Sequence, residues 1–245
     1  NQTDIDTTID TLIEDAKISL EGRLVRPALD MSHLEGFDRE FTPIEAGEFV
    51  VIGARTSVGK SSFVSQIISN NLKNDKKIVM FPLESCAKEV IRQVSAQVAK
   101  VNFRYLNQAP EGNVKTFMNA IERFRDITGD KIHFGTTNKI DKMTTYLDTL
   151  HQKTGGFDCV IVDYIQLVQG GNEKDNRTTR IGEYTSTMKA WCSRYSCCVI
   201  GLAQVNRGVE KDRVAPRLSD LRESGSIEQD ANRVLFLHLP ENDSN

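Results

Sequence analysis

No apolar run in this sequence approaches the roughly 18–20 residues needed to cross a bilayer, and no secretory leader precedes its first helical stretch. A membrane partner is therefore not expected. Paired C-x-x-C spacing is also missing. The five cysteines, Cys86, Cys159, Cys192, Cys197 and Cys198, are an odd number with no second pair to complete a zinc site. Two of them fall in apolar runs, where cysteine behaves as a small hydrophobe, and a reducing, cytosolic compartment fits that usage. Positive charge is not in excess: 31 Lys and Arg against 34 Asp and Glu give a formal net charge of −3. That excludes a global basic field but leaves room for a local positive lining on a groove or ring. No internal repeat or low-complexity tract interrupts the chain. What remains is 245 residues at 39% hydrophobic and 27% charged, the balance of a soluble globular chain. It begins Asn-Gln-Thr without methionine, so a fragment of a longer protein is expected.

The first stretch sets Ile5, Ile9, Leu12, Ile13 and Ala16 on one helical stripe, and Gly22 can stop it. A helix over 1–22 is expected, packing on its own domain or reaching to a neighbouring subunit. A linker over 23–35 follows, and one compact domain over 36–245. Within that domain apolar runs alternate with helical patterns. Strands are expected at 48–54, 77–82, 131–134, 159–164, 197–203 and 233–239. Helices are expected after residue 60, with Val64, Ile67, Ile68 and Leu72 on one face, and over 87–100, 113–128, 141–154 and 178–195. Strands this apolar imply burial on both faces, and their separation by helices implies a parallel α/β sheet.

Chemistry concentrates where strands end. Ala54-Arg55-Thr56-Ser57-Val58-Gly59-Lys60-Ser61-Ser62 follows a buried strand and opens an amphipathic helix, the context a phosphate-binding loop requires. The usual pattern starts with glycine five residues before the glycine of its Gly-Lys pair. Alanine stands there instead, tolerable if Ala54 keeps a negative φ at the end of its strand. Backbone N–H groups and the helix N-terminus would face β- and γ-phosphates, with Gly59 supplying conformational freedom. Lys60 adds a point charge, and the Ser61 hydroxyl can ligate Mg²⁺. Asp163 closes CVIVD, where a carboxylate can hold magnesium through water or simply start a turn. Glu84 follows KIVMFPL and is placed to take a proton from an attacking water, or to favour a helix start. Gln204, after CCVIGLA, is a γ-phosphate sensor or a surface glutamine.

Together these pieces resemble the C-terminal motor domain of the DnaB-type replicative helicases, within the wider RecA-like group. That family's loop reads A-R-x-S-x-G-K, as Ala54 to Lys60 does. Its S-L-E strand end corresponds to PLE with Glu84, and I-D-Y-L-Q-L to VDYIQL with Asp163 and Gln166. S-Q-L-N-R corresponds to AQVNR over 203–207, and D-L-R-E-S-G-S-I-E-Q-D-A is matched without a change from Asp220 to Ala231. The resemblance covers about residues 36–240 and implies a RecA-like P-loop NTPase fold. It implies an ATP-hydrolysing DNA helicase, with ATP and Mg²⁺ bound by Lys60 and Ser61, the metal supported by Asp163, and water activated by Glu84. Gln204 would couple γ-phosphate state to a DNA loop carrying Arg222, Glu223 and Gly225, an arrangement that suits phosphate oxygens without reading bases.

Other features stay open at this level. Ser226 to Gln229 has the spacing of a capping box for a following helix. Lys174, Arg177 and Arg180 form a second candidate channel wall or a solvated loop. Arg92 is the nearest arginine to the family's base-contacting position, one residue off. The family's K-x-R arginine finger lies on a later strand than the chain reaches, so a C-terminal truncation, or a difference at that point, is expected. The implied partners are single-stranded DNA, further copies in a ring expected to be hexameric, a primase and a helicase loader, acting in a bacterial cell, a phage-infected host or an organelle. A RecA- or KaiC-like recombinase or assembly ATPase is the alternative; it predicts the same loop and carboxylates but different residues at 220–231.

Overall fold

A computed structural model describes residues 28–31, 43–103, 114–171, 176–205, 215–221 and 224–239. The expected helix over 1–22 lies outside them, as do Lys174, Arg222 and Glu223. Among the described residues six strands form one sheet: β1 (Phe49–Ala54), β2 (Ile78–Pro82), β3 (Ile132–Phe134), β4 (Cys159–Asp163), β5 (Cys198–Gln204) and β6 (Arg233–Leu237). Their order is β3-β2-β4-β5-β1-β6, and every pairing is parallel. Helices α1 (Lys60–Lys73), α2 (Ala87–Ala99), α3 (Val114–Thr128), α4 (Ile140–Thr154), α5 (Arg177–Tyr195) and α6 (Ser224–Asp230) accompany it.

Alternation along the strands divides the apolar interior in two. Phe49, Val51, Val79, Phe81, Val160 and Val162 join Met143, Leu147, Met188 and Trp191 of α4 and α5. Val50, Ile52, Ile78, Met80, Ile161 and Ile200 join Ile67, Ile68 and Leu72 of α1, Val94 of α2 and Phe124 of α3. Helices thus cover both faces, which is why the central strands are apolar at consecutive positions. The edge strands differ. Every position of β3 and β6 is only half-buried, correcting the expectation that all the apolar strands are buried on both faces. Among the described residues each has a neighbouring strand on one side only, and β6 ends at Leu237, two residues short of the expected boundary.

Part of the expected linker belongs to the packed unit. Leu29 and Ile44 are fully buried and form an antiparallel bridge, and Asp30 exchanges hydrogen bonds with the buried Asn71 side chain of α1. At the other end of the chain the expected capping box does not form. Ser226 sits inside α6, with its Oγ 2.7 Å from where a Cβ on Gly182 of α5 would stand. The helix starts earlier because that register buries Ile227 completely within the cluster shared with α5, and Asp230 accepts a hydrogen bond from the Thr185 hydroxyl.

Parallel pairing brings the carboxyl ends of the strands to one edge of the sheet. Ala54 pairs with Gln204, and Pro82 with Asp163. Four chain segments far apart in sequence therefore end side by side.

Candidate functional site

The loop from β1 to α1 has the backbone its sequence demands. Ala54 finishes β1 without a positive φ, while Ser57 and Gly59 take φ of 66° and 106°. Nothing lies within 4 Å of a Cβ built on Gly59, so glycine serves conformation there and not space. Gly59 is the N-cap of α1, makes no side-chain cap, and no acidic residue occupies the first turn. First-turn N–H groups of a helix have no intrahelical acceptor, and with the positive end of the helix dipole they form a concavity for an anion. The neighbouring Gly53 has a different task. A Cβ on it would stand 2.7 Å from the Phe236 ring and 2.9 Å from Leu221 Cδ2, so its lack of a side chain lets β6 and the 218–221 turn approach.

The loop floors a cleft of ≈ 480 Å³. Arg55, Ser57, Lys60, Ser61 and Ser62 line it, with Glu84, Asp163 and Gln204 from the ends of β2, β4 and β5. Val58 is not part of the lining. Glu89, Val90 and Gln93 of α2 are, whereas Arg92 on the same helix is exposed and stands apart from it. Ser65 ties α1 to the loop: its hydroxyl donates to the Ser61 carbonyl at 2.8 Å and lies 3.2 Å from Gln93 Oε1.

Lys60 reaches between the two carboxylates. Its ammonium is 3.0 Å from Glu84 Oε2, 2.9 Å from Asp163 Oδ1 and 4.7 Å from the centre of the Tyr164 ring, over which it lies. Burial acts to lower the lysine's proton affinity, but Asp163 and Glu84 outweigh it and Lys60 is held above its ordinary 10.5. Burial raises the Asp163 carboxyl above its usual range; Lys60 opposes the shift and Glu84 adds to it. The two acids differ in access, since the Asp163 side chain is 7% exposed and Glu84 56%. Asp163 Oδ1 is buried without a hydrogen-bond partner, although it has the ammonium as ion-pair partner. A shielded carboxylate with spare acceptor capacity, facing a serine hydroxyl across a phosphate-sized cleft, fits a partly hydrated Mg²⁺. Backbone contacts fix the pair, for the N–H groups of Leu83 and Glu84 both donate to the Asp163 carbonyl, at 2.8 and 3.1 Å.

Gln204 leads away from the cleft. Its N–H donates to Gln166 Oε1 at 3.3 Å, and the next residue, Val205, bridges to Leu221. Leu221 directly precedes Arg222 and Glu223, and Gly225 is exposed on α6. Sequence reasoning did not single out Tyr164 as a lysine contact, nor Gln166 as a partner of Gln204; both were visible only as members of VDYIQL.

A family model described as DnaB-like helicase C terminal domain matches residues 31–245. The replicative DNA helicase DnaB of Pasteurella multocida is 29% identical over 213 residues, 84% of this chain and 45% of that protein. The replicative DNA helicase DnaC of Bacillus subtilis is 31% identical over 209 residues, 82% of this chain and 45% of its relative. The chain thus spans about half the length of these relatives. Among solved structures, one described as an ATPase domain superposes with a TM-score of 0.83 at 25% identity, covering 98% of this chain and 84% of that one. A DnaB-like replicative helicase, solved in a study of its interactions with primase, gives a TM-score of 0.71 at 27% identity over 78% of this chain and 48% of that one. The all-parallel sheet and these neighbours make the fold RecA-like.

Proposed function

This chain belongs to the DnaB-like helicase C-terminal domain family, and on that premise we propose that it is the ATP-driven motor of a replicative DNA helicase. The observation that carries the proposal is Lys60 drawn between Glu84 and Asp163 above a loop shaped for phosphate. ATP would set its β- and γ-phosphates on the N–H groups of residues 57–62, and Lys60 would turn from the carboxylates to the γ-phosphate. Ser61 and Asp163 would hold Mg²⁺, which when bound neutralises charge on the phosphate oxygens. Glu84, the exposed acid of the pair, would orient the attacking water and accept its proton. Lys60, Arg55 and the loop amides would stabilise the charge that builds on the departing phosphate oxygens.

Gln204 connects this chemistry to movement. Its side chain lines the cleft while its strand continues into the Val205–Leu221 bridge, so a shift of Gln204 toward or away from the γ-phosphate would be passed to Arg222 and Glu223, which follow Leu221, and to Gly225 at the start of α6. These three residues are proposed to hold the backbone of single-stranded DNA. Copies of the chain in a ring, six being the family expectation, would pass the strand along, with a primase and a loader as further partners in a bacterial cytoplasm. An ATP-switched recombinase or assembly factor would share the cleft, but the relatives named as replicative helicases weigh against it. The test is strand release from a forked duplex by the assembled protein with MgATP. ATP-dependent release supports the motor; pairing of homologous strands without release overturns it.

A further inference from the structure

We propose that a second cleft, at the amino-terminal end of α5, binds phosphate and that Gln166 passes its occupancy to the nucleotide cleft. This cleft encloses ≈ 320 Å³ between residues 166–169 and the first turns of α5, and it shares no lining residue with the nucleotide cleft. Arg177 and Arg180, three residues apart on one helical face, line it with Gln166 and Gln169. The helix above is 19 residues long and is capped by Asn176, whose side chain accepts from the Thr179 N–H. The cleft runs along one side of the helix's first two turns, where Arg177, Arg180, Ile181 and Tyr184 face it.

Two buried donors lack a partner there. Arg180 Nε and Gln166 Nε2 are both shielded from solvent with no hydrogen-bond acceptor. Gln166 is only 9% exposed, and its other amide atom is committed, because Oε1 accepts from the Gln204 N–H at 3.3 Å. Buried donors are normally satisfied. The Tyr184 hydroxyl is not available to help, since it already donates to the Gly170 carbonyl at 2.8 Å. The unpaired groups that the cleft offers are thus a guanidinium N–H and an amide N–H, both donors. An oxyanion meets that requirement and a cation does not. Guanidinium geometry favours a phosphate, which can accept along several directions at once, and Leu167 and Ile181 give the cleft an apolar wall against which a sugar can rest.

Satisfying Nε2 also fixes the plane of the Gln166 amide. Oε1 is then held on the Gln204 N–H, at the lip of the nucleotide cleft. Phosphate in one cleft and nucleotide in the other are linked through this single side chain, and the linkage runs equally in both directions. The relay rests on the nucleotide reading given above; the phosphate site does not.

The phosphate group could be carried by the backbone of a nucleic-acid strand or be free in solution, and one titration separates them. The Arg180 Nε–Hε resonance of the full chain, assigned by its loss in Arg180→Lys, would be followed by NMR while oligothymidylate or inorganic phosphate is added. The expected result is a saturable shift with oligothymidylate. A shift with inorganic phosphate alone places the site with free phosphate, and no shift with either overturns it. The relay is read from the affinity for a non-hydrolysable MgATP analogue with and without oligothymidylate. A several-fold difference in the native chain should fall to about unity in Gln166→Leu; an undiminished difference overturns the relay. A native chain that takes up no MgATP analogue would overturn the nucleotide reading instead, leaving the Arg180 titration intact.

Discussion

At the residue scale the site turns on one ammonium holding two carboxylates near each other. Glu84 is the more exposed of the two, so replacing it disturbs the packed interior least. Glu84→Gln keeps size and hydrogen bonding but cannot take a proton. MgATP binding should persist while DNA-stimulated turnover falls about 10²- to 10⁴-fold, measured by nucleotide titration beside phosphate release. Turnover near the native rate would remove Glu84 from the chemistry. Lys60 makes a separate prediction about pH. Burial opposes its charge, yet the two acids prevail and its folded pKa lies above 10.5. The folded state therefore holds that proton more tightly than the unfolded chain does. The resulting stability is complete below 10.5 and is lost as pH rises through the folded value. Urea midpoints on either side of 10.5 should fall more in the native chain than in Lys60→Met. Equal losses would show that the carboxylates do not hold the lysine charge as described. In the buried thiols burial itself acts upward: it pushes Cys192 up to about 12, and Cys159 and Cys197 also upward, so these cysteines stay protonated packing groups.

At the element scale Gly53 shows how the strand and the loop constrain each other. Gly53→Ala should force the Phe236 ring and Leu221 apart and destabilise the fold by about 1–3 kcal/mol, read from urea unfolding. An unchanged midpoint would mean that β6 moves freely against β1. The same residue illustrates what a sequence can and cannot carry. Its position one residue before the expected loop glycine was legible, but its partner ring lies 183 residues away on a strand whose pairing only the fold reveals. The central strands were legible because covering both faces demands consecutive apolar residues. The half-buried edges, β3 and β6, carry similar residues for a different reason, so composition did not separate them. Capping failed as a signal at Ser226 because burial of Ile227 set the register of a seven-residue helix. Motif residues announced the loop, Glu84 and Asp163 one at a time. That they meet on one lysine is a consequence of parallel register, Pro82 beside Asp163 and Ala54 beside Gln204.

At the scale of the whole molecule, ligand binding should be visible as stability. A nucleotide that binds only the folded chain stabilises it by about 2.7 kcal/mol at a hundredfold excess over Kd, so the Tm should rise with MgATP concentration. Absence of any rise in folded protein would remove the nucleotide site altogether. Charge sets the second test. A net charge of −3 cannot draw DNA to the molecule as a whole, so affinity must come from a few local cations and amides on phosphate. Such pairing releases counterions, and for a single strand the logarithm of affinity falls with the logarithm of salt by about 0.7 per phosphate neutralised. Arg222 follows Leu221, which bridges to Val205 next to Gln204, the proposed sensor. Arg222→Ala should therefore weaken single-strand binding alike for different sequences and make the salt slope shallower by about 0.7 for each phosphate left without its cation. Fluorescence anisotropy across a salt series measures both. A weakened affinity with an unchanged slope would mean that Arg222 acts without touching phosphate, and the strand would have to be held elsewhere, with the Arg177 and Arg180 cleft next in line.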